Sequence, residues 1–150
     1  MAQSSDALPG VSYVMPVLNE VEHIEAAIEA LLGQDYRGEF DVVLALGPSI
    51  DGTNAIVNSM AKADPRIRSV PNKVGSTPAG LNAAIRASKH PIVIRVDAHS
   101  VLPANYTRIA VETLLATGAD NVGGIMRARG VTAFQKAVAH AYGSPEGLGG

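Results

Sequence analysis

Cysteine and tryptophan are both missing from the 150 residues, and the aromatics amount to two Phe and four Tyr. Without cysteine there can be no disulfide, no thiolate metal site and no cysteine nucleophile. Charge is also scarce: 17% of residues are charged and the net charge is -2. That leaves no basic footprint for a nucleic-acid partner and no acidic block for a solvating tail. No apolar run reaches the length of a membrane span, and Met1 to Asp6 has no apolar signal core. A soluble, cytoplasmic chain is therefore expected, at the cytoplasmic face of the membrane if a longer chain exists. Two phosphate-gripping loops are missing as well. Neither G-x-G-x-x-G after the first strand nor G-x-x-x-x-G-K-[ST] anywhere is present, which excludes the usual dinucleotide dehydrogenase and P-loop nucleotidase.

What is there is 47% hydrophobic content, enough for one globular core. The expected organisation is a flexible lead-in over residues 1–10 and one domain over 11–150, whose glycine-rich end stops without a closing element. The most informative stretch is His90-Pro91-Ile92-Val93-Ile94-Arg95-Val96-Asp97-Ala98-His99. Ile92 to Val96 is rich in β-branched apolar residues and suits a fully buried strand of a parallel sheet, with Pro91 as its first residue. If the backbone stays extended beyond it, Asp97 and His99 project to the same side. Ligands of open α/β sheets lie beyond the carboxyl ends of the strands, so an acid and an imidazole would stand where a ligand lies.

The rest of the chain alternates in the same way. Val11 to Met15 reads as a strand stopped by Pro16. Asn19 and Glu22 have the spacing of a capping box before the stripe Ile24, Ala27, Ile28, Leu31, with Gly33 at the far cap. Asp41 to Leu46 is a second buried strand, Gly47 to Gly52 a loop, and Thr53 to Ala63 a helix with Ile56 and Met60 inward. Ile67 to Val70 is a third strand. Thr77-Pro78 opens a helix with the stripe Leu81, Ala84, Ile85. After the fourth strand, Leu102 starts a helix reaching about Thr117, Asn121 to Met126 reads as a strand, and Thr132 to Tyr142 as a helix. This order predicts an α/β fold: a mostly parallel, Rossmann-like sheet flanked by helices on both faces.

Taken together, the motifs are more specific than any one of them. They are Pro16-x-x-Asn19-Glu20 after strand one, Gly47-Pro48-Ser49-Ile50-Asp51-Gly52-Thr53 after strand two, Asp64-Pro65-Arg66-Ile67, Asn72 with the small-residue helix around Asn82, and Asp97-x-His99. In this order, from about Val11 to Gly124, the chain resembles the inverting family 2 glycosyltransferases of the GT-A fold. The spelling Arg95-Val96-Asp97-Ala98-His99 is similar to exopolysaccharide glucosyltransferases of the succinoglycan type, in which histidine replaces the second aspartate of D-x-D.

The resemblance implies transfer, with inversion, of a sugar such as a hexose from a nucleotide-diphosphate sugar to a saccharide or lipid-linked acceptor. It implies a divalent cation at Asp97 and His99, because bare carboxylates would repel a diphosphate. Imidazole favours manganese over magnesium there, and Asp97 would touch metal or ribose. The alternative for His99 is a loop histidine that merely caps the Leu102 helix or bonds to backbone, but next to Asp97 at a strand exit the ligand role is favoured. Pro16, Leu18, Asn19, Glu20, Leu46 and Gly47 would line the nucleoside pocket, with Asp51 shaping its loop and Lys73 placed to meet phosphate. For Asn19 a plain helix cap, and for Lys73 a solvated side chain, stand beside those roles. His23, His90 and His140 read as ordinary.

Two departures stand out. Leucine occupies positions 18 and 46, where many relatives carry an aromatic residue and a base-reading aspartate, so relaxed or altered base preference is expected. The acceptor-activating carboxylate of the family is not recognisable either; Glu146 lies in a Pro-Glu-Gly loop and is a poor candidate. A nucleotide-sugar-binding module without turnover is the competing reading. An unfinished sheet edge would favour a homo-oligomer, and no nucleic-acid partner is expected.

Overall fold

The computed structural model describes residues 7–124, 131–142 and 144. The chain divides into two compact units, Met1–Ile109 and Ala110–Gly150. The first contains β1 (Val11–Val17), α1 (Ile24–Leu32), β2 (Phe40–Leu46), α2 (Thr53–Ala63), β3 (Ile67–Pro71), α3 (Thr77–Ala87), β4 (Ile92–Arg95) and the opening turn of α4 (Tyr106–Thr117). The second contains the rest of α4 and α5 (Ala133–Tyr142). Among the described residues no helix is long and apolar enough to cross a membrane.

The four strands form one parallel sheet in the order β3-β2-β1-β4. From β1 to β3 the chain steps one way, and from β3 to β4 it crosses back over β2 and β1. With right-handed crossovers, that reversal puts α1 and α2 on one face and α3 on the other. Side-chain alternation follows the register Val14↔Val43. Val14, Val43 and Ala45 meet Ala84 of α3, with Val70, Leu81 and Ala87 at the margin. Tyr13, Met15, Val42 and Leu44, fully buried, alternate with them and belong to the face that α1 and α2 cover with Ile24, Ile28, Leu31 and Val57. Each such Val, Leu or Ile contributes about 1.5–3 kcal/mol on burial. Burial pushes the Tyr13 phenol up to about 12, so it stays protonated while sharing a 2.6 Å hydrogen bond with Thr107 Oγ1.

Several local expectations are corrected. β1 runs through Pro16 to Val17. Val14 accepts from Val96 N at 3.0 Å, so the missing N–H of Pro16, two residues on, falls on the side where β4 has already ended and no ladder bond is lost. Asn19 is not the cap of α1, which starts five residues later with His23 at its N-cap. In α2 the buried residues are Thr53 and Val57, with Ile56 and Met60 half-buried. In α3 the buried pair is Gly80 and Ala84, Ser76 rather than Thr77 is the N-cap, and Ile85 is exposed.

β4 ends at Arg95 and is not fully buried. It stands at the edge of the described sheet, beyond the strands that α3 crosses, so Ile94 is buried and Val93 and Arg95 are open. Leu102 to Asn105 is a loop, and α4 begins at Tyr106 because Gln34 Nε2 takes the Pro103 carbonyl at 2.9 Å. Gln34 Oε1 in turn accepts from Thr107 N at 3.0 Å. Of the strand expected over Asn121 to Met126, residues 121–124 are not regular and the last two lie outside the described residues, as does Glu146. In α5, Thr132 and Gln135 form a reciprocal capping box: Gln135 N donates to Thr132 Oγ1 at 3.1 Å, and Thr132 N to Gln135 Oε1 at 3.1 Å.

Candidate functional site

In a parallel sheet whose strand order reverses, the crevice opens at the carboxyl ends of the two strands flanking the reversal. Here those are β1 and β4. An open cleft of about 260 Å3 lies there, lined by Pro16, Val17, Leu18 and Glu20 from β1 and its exit, Asn72, Gly75 and Thr77 from the β3–α3 connection, and Asp97, Ala98 and His99 beyond β4.

The β4 exit keeps a two-residue alternation past the end of the strand. Val96 and Ala98 are buried, while Asp97 and His99 stand more open, 39% and 67% exposed at the side chain. Both line the cleft. Asp97 Oδ1 accepts from the Arg95 guanidinium at 3.2 Å, two residues back on the same side. His99 Nδ1 lies 3.4 Å from Glu20 Oε1, so the exits of β1 and β4 meet across the cleft.

The opposite wall is braced. Asn19 adopts a left-handed conformation, φ 53°, which asparagine tolerates better than most residues. Its N–H donates to Ser49 Oγ at 3.0 Å, and its side-chain oxygen accepts from Ile50 N at 2.9 Å. Asp51 bonds both loops: one oxygen accepts from Thr53 N and Thr53 Oγ1 at 3.0 and 2.6 Å, the other from Val21 N at 3.1 Å. Since a carboxylate can only accept, Thr53 must donate its hydroxyl proton to Asp51, which leaves a lone pair for Glu20 N at 2.9 Å. These bonds, led by the Thr53 hydroxyl, hold the Asp51 carboxyl below the usual carboxylate range.

Gly47 sits in a tight place, where a Cβ would lie 3.1 Å from both Leu18 Cδ1 and Val17 O and would have to displace one of them by a few tenths of an ångström. Leu18 thus lies over Gly47, 41% exposed and on the cleft. Of the sequence candidates, the cleft gathers Pro16, Leu18, Glu20, Asp97 and His99. Asn19, Gly47 and Asp51 act on its loops from behind, and Leu46 receives Asn72 N on its carbonyl at 2.8 Å. Lys73 is exposed and does not line the cleft. Gly75 and Thr77 were not visible as site residues in the sequence. Asn72, buried, shapes that corner by donating to Ser76 O at 3.0 Å and accepting from Gly75 N at 3.2 Å. The signal that could have found them is topological: every strand exit on this side of a parallel sheet faces the ligand end.

Two oxygen donors and one imidazole converge on the cleft, yet the described residues contain no cluster of three His, Asp or Glu side chains arranged to hold a metal by themselves. This donor set fits a hard cation that takes one or two protein ligands and completes its shell with phosphate oxygens and water.

A parallel sheet of this order flanked by helices is the core of the GT-A glycosyltransferase fold. The chain belongs to glycosyl transferase family 2, whose model matches residues 12–147. It is 41% identical to the succinoglycan biosynthesis protein ExoA of Rhizobium meliloti (strain 1021) over 98% of this chain and 46% of that protein. It is 28% identical to the glycosyltransferase AglE of Haloferax volcanii over 80% of this chain and 40% of that one. The chain thus spans less than half the length of these curated relatives. Among solved structures it is similar to the mannosyltransferase PcManGT from Pyrobaculum calidifontis in complex with GDP-Man and Mn2+, with TM-score 0.61 and 29% identity, over 73% of this chain and 35% of that one. Its fold also matches S. aureus TarS, with TM-score 0.65 at 18% identity over 79% of this chain and 39% of that one.

Proposed function

We propose that this chain is the donor-binding part of an inverting glycosyltransferase that moves a hexose from a nucleotide-diphosphate sugar to a saccharide or lipid-linked acceptor in exopolysaccharide synthesis. The observation that carries it is the presence of Asp97 and His99 together on the cleft between β1 and β4. Asp97 and His99 would hold a divalent cation, manganese in preference to magnesium. That cation, when bound, neutralises the diphosphate and eases its departure from the anomeric carbon. Leu18 and Pro16 supply an apolar seat for the nucleoside, and Thr77 at the amino end of α3 turns partial positive charge toward the phosphates.

A cleft of about 260 Å3 is small for a whole nucleotide sugar. Deprotonation of the acceptor hydroxyl needs a carboxylate that is not already engaged. Asp97 serves the cation and Glu20 stands against His99, so neither is assigned as base. The acceptor-activating carboxylate is therefore left unassigned among the described residues of the cleft. The 41% identity to a succinoglycan biosynthesis protein and the 29% identity to a mannosyltransferase bound to GDP-Man and Mn2+ support the substrate class.

Calorimetric titration of GDP and UDP, with manganese, magnesium or chelator, tests the proposal. Metal-dependent binding that is lost in Asp97→Asn and weakened in His99→Ala supports it, and metal-independent binding in all three proteins rejects it. With leucine at positions 18 and 46, the two nucleotides are expected to bind within about tenfold of each other.

A further inference from the structure

We infer that Glu20 fixes the tautomer of His99, and so decides which ring nitrogen is offered to the cleft. The inference rests on the proposed cation role of His99 only for its consequence, not for its geometry. Glu20 Oε1 and His99 Nδ1 are 3.4 Å apart across the cleft. An ionised carboxylate has no proton to give, so the hydrogen in this contact is the imidazole's and sits on Nδ1. In the neutral ring, the lone pair is then on Nε2. A histidine ligand oriented by a carboxylate on its other nitrogen is a recurrent way of raising its basicity and fixing its plane.

Glu20 is well placed for this task because its backbone is pinned on both sides. Its N–H is held by Thr53 Oγ1 at 2.9 Å. Its carbonyl accepts from His23 N and Ile24 N at 3.0 and 2.8 Å, which fixes it to the start of α1. Its side chain is 22% exposed against 67% for His99. The carboxylate is thus the more enclosed member of the pair and the ring the more open one. Glu20 is in these terms a positioning residue, and the exit of β1 acts on the ligand through the exit of β4.

The test is 15N NMR of histidine-labelled protein without metal, at a pH where a free imidazole is neutral, with His99→Ala identifying the resonance. The expected result is the Nδ1–H tautomer in the wild type and a shift toward Nε2–H in Glu20→Ala; Glu20→Gln, whose amide can accept from or donate to Nδ1, should fall between the two. Manganese binding, read from the electron paramagnetic resonance of the free ion in the presence of GDP, should weaken about tenfold in Glu20→Ala and by less in Glu20→Gln. In a His99→Ala background, Glu20→Ala should add nothing. An Nε2–H ring in the wild type overturns the inference, as does an equal loss from Glu20→Ala whether or not His99 is present. If the tautomer switches as expected but His99→Ala leaves manganese affinity unchanged, the cation role of His99 fails and the tautomer assignment stands.

Discussion

The two ends of the parallel sheet each carry an aspartate beside an arginine, and they use the pair in opposite ways. At the strand starts, Asp41 is 5% exposed and both its oxygens are engaged. It takes Ser12 Oγ at 2.5 Å and Arg68 Nε at 3.1 Å, with a second Arg68 nitrogen at 2.5 Å. Arg68 continues to Ala87 O at 2.7 Å, and Ser12 Oγ accepts from Lys89 N and His90 N, each at 3.2 Å. This network ties β1, β2 and β3 to the connection between α3 and β4. At the strand exits, Asp97 is 39% exposed and meets Arg95 at 3.2 Å from its own strand. An acid whose oxygens are all engaged by neighbours holds the fold. One whose oxygens remain open to water can hold a ligand.

The sharpest way to break this comparison is to remove the charge at each end. Asp97→Asn should lower manganese-dependent nucleotide affinity by about a hundredfold, since a cation contributes several kcal/mol of charge stabilisation. Its unfolding free energy in urea should stay within about 0.5 kcal/mol of wild type, as for other exposed substitutions. Asp41→Ala should do the reverse. It leaves Arg68 without its buried partner and should cost about 3 kcal/mol in urea unfolding, near the lower end for a broken buried pair because Arg68 keeps some exposure. Nucleotide affinity of the folded fraction should be unchanged. A loss of binding in Asp41→Ala at full folding, or a large destabilisation in Asp97→Asn, would erase the distinction between the ends.

A smaller effect is expected where α3 closes on the sheet. A Cβ on Gly80 would fall 2.8 Å from Asn72 Nδ2 and 3.0 Å from Pro16 Cβ. Gly80→Ala must therefore push α3 outward, at about 1–3 kcal/mol for overpacking. Since Asn72 and Pro16 line the cleft, this is the one substitution expected to register in both urea unfolding and nucleotide titration.

The four strands of the sheet were legible because their apolar runs are short and bounded by turn residues, and the placing of Asp97 with His99 on one side was legible because a two-residue spacing survives the end of a strand. Asn19 misled because its side chain suits a local cap as well as Ile50 N thirty-one residues away, and it takes the distant partner. The inward face of α2 was misplaced by one residue, onto Ile56 rather than Val57, because both are apolar and phase is set by the partner surface. The open face of β4 follows from strand order, which no local pattern encodes. Gly75 and Thr77 were hidden for the same reason: they reach the cleft through the crossover of α3, not through any motif of their own.

The loop brace behind the cleft should give the smallest and most conditional effect, and its pH dependence has a definite sign. The Thr53 and Val21 bonds lower the Asp51 carboxyl below its ordinary value, so the folded state favours the ionised form. Its contribution is fully present above the unfolded carboxylate pKa and is lost as pH falls through the lower folded value. In Asp51→Asn, the amide can still accept from Thr53 but turns its NH2 toward Val21 N, donor against donor. The variant should therefore melt below wild type at pH 7. The gap should close on acidification through and below the carboxylate range, because protonated aspartic acid and asparagine then offer Val21 the same single-acceptor group. Melting temperatures of both proteins from pH 7 to pH 3 give the comparison. A gap that persists undiminished in acid would mean that Asp51 acts by shape, and the brace would then rest on Asn19 and Ser49.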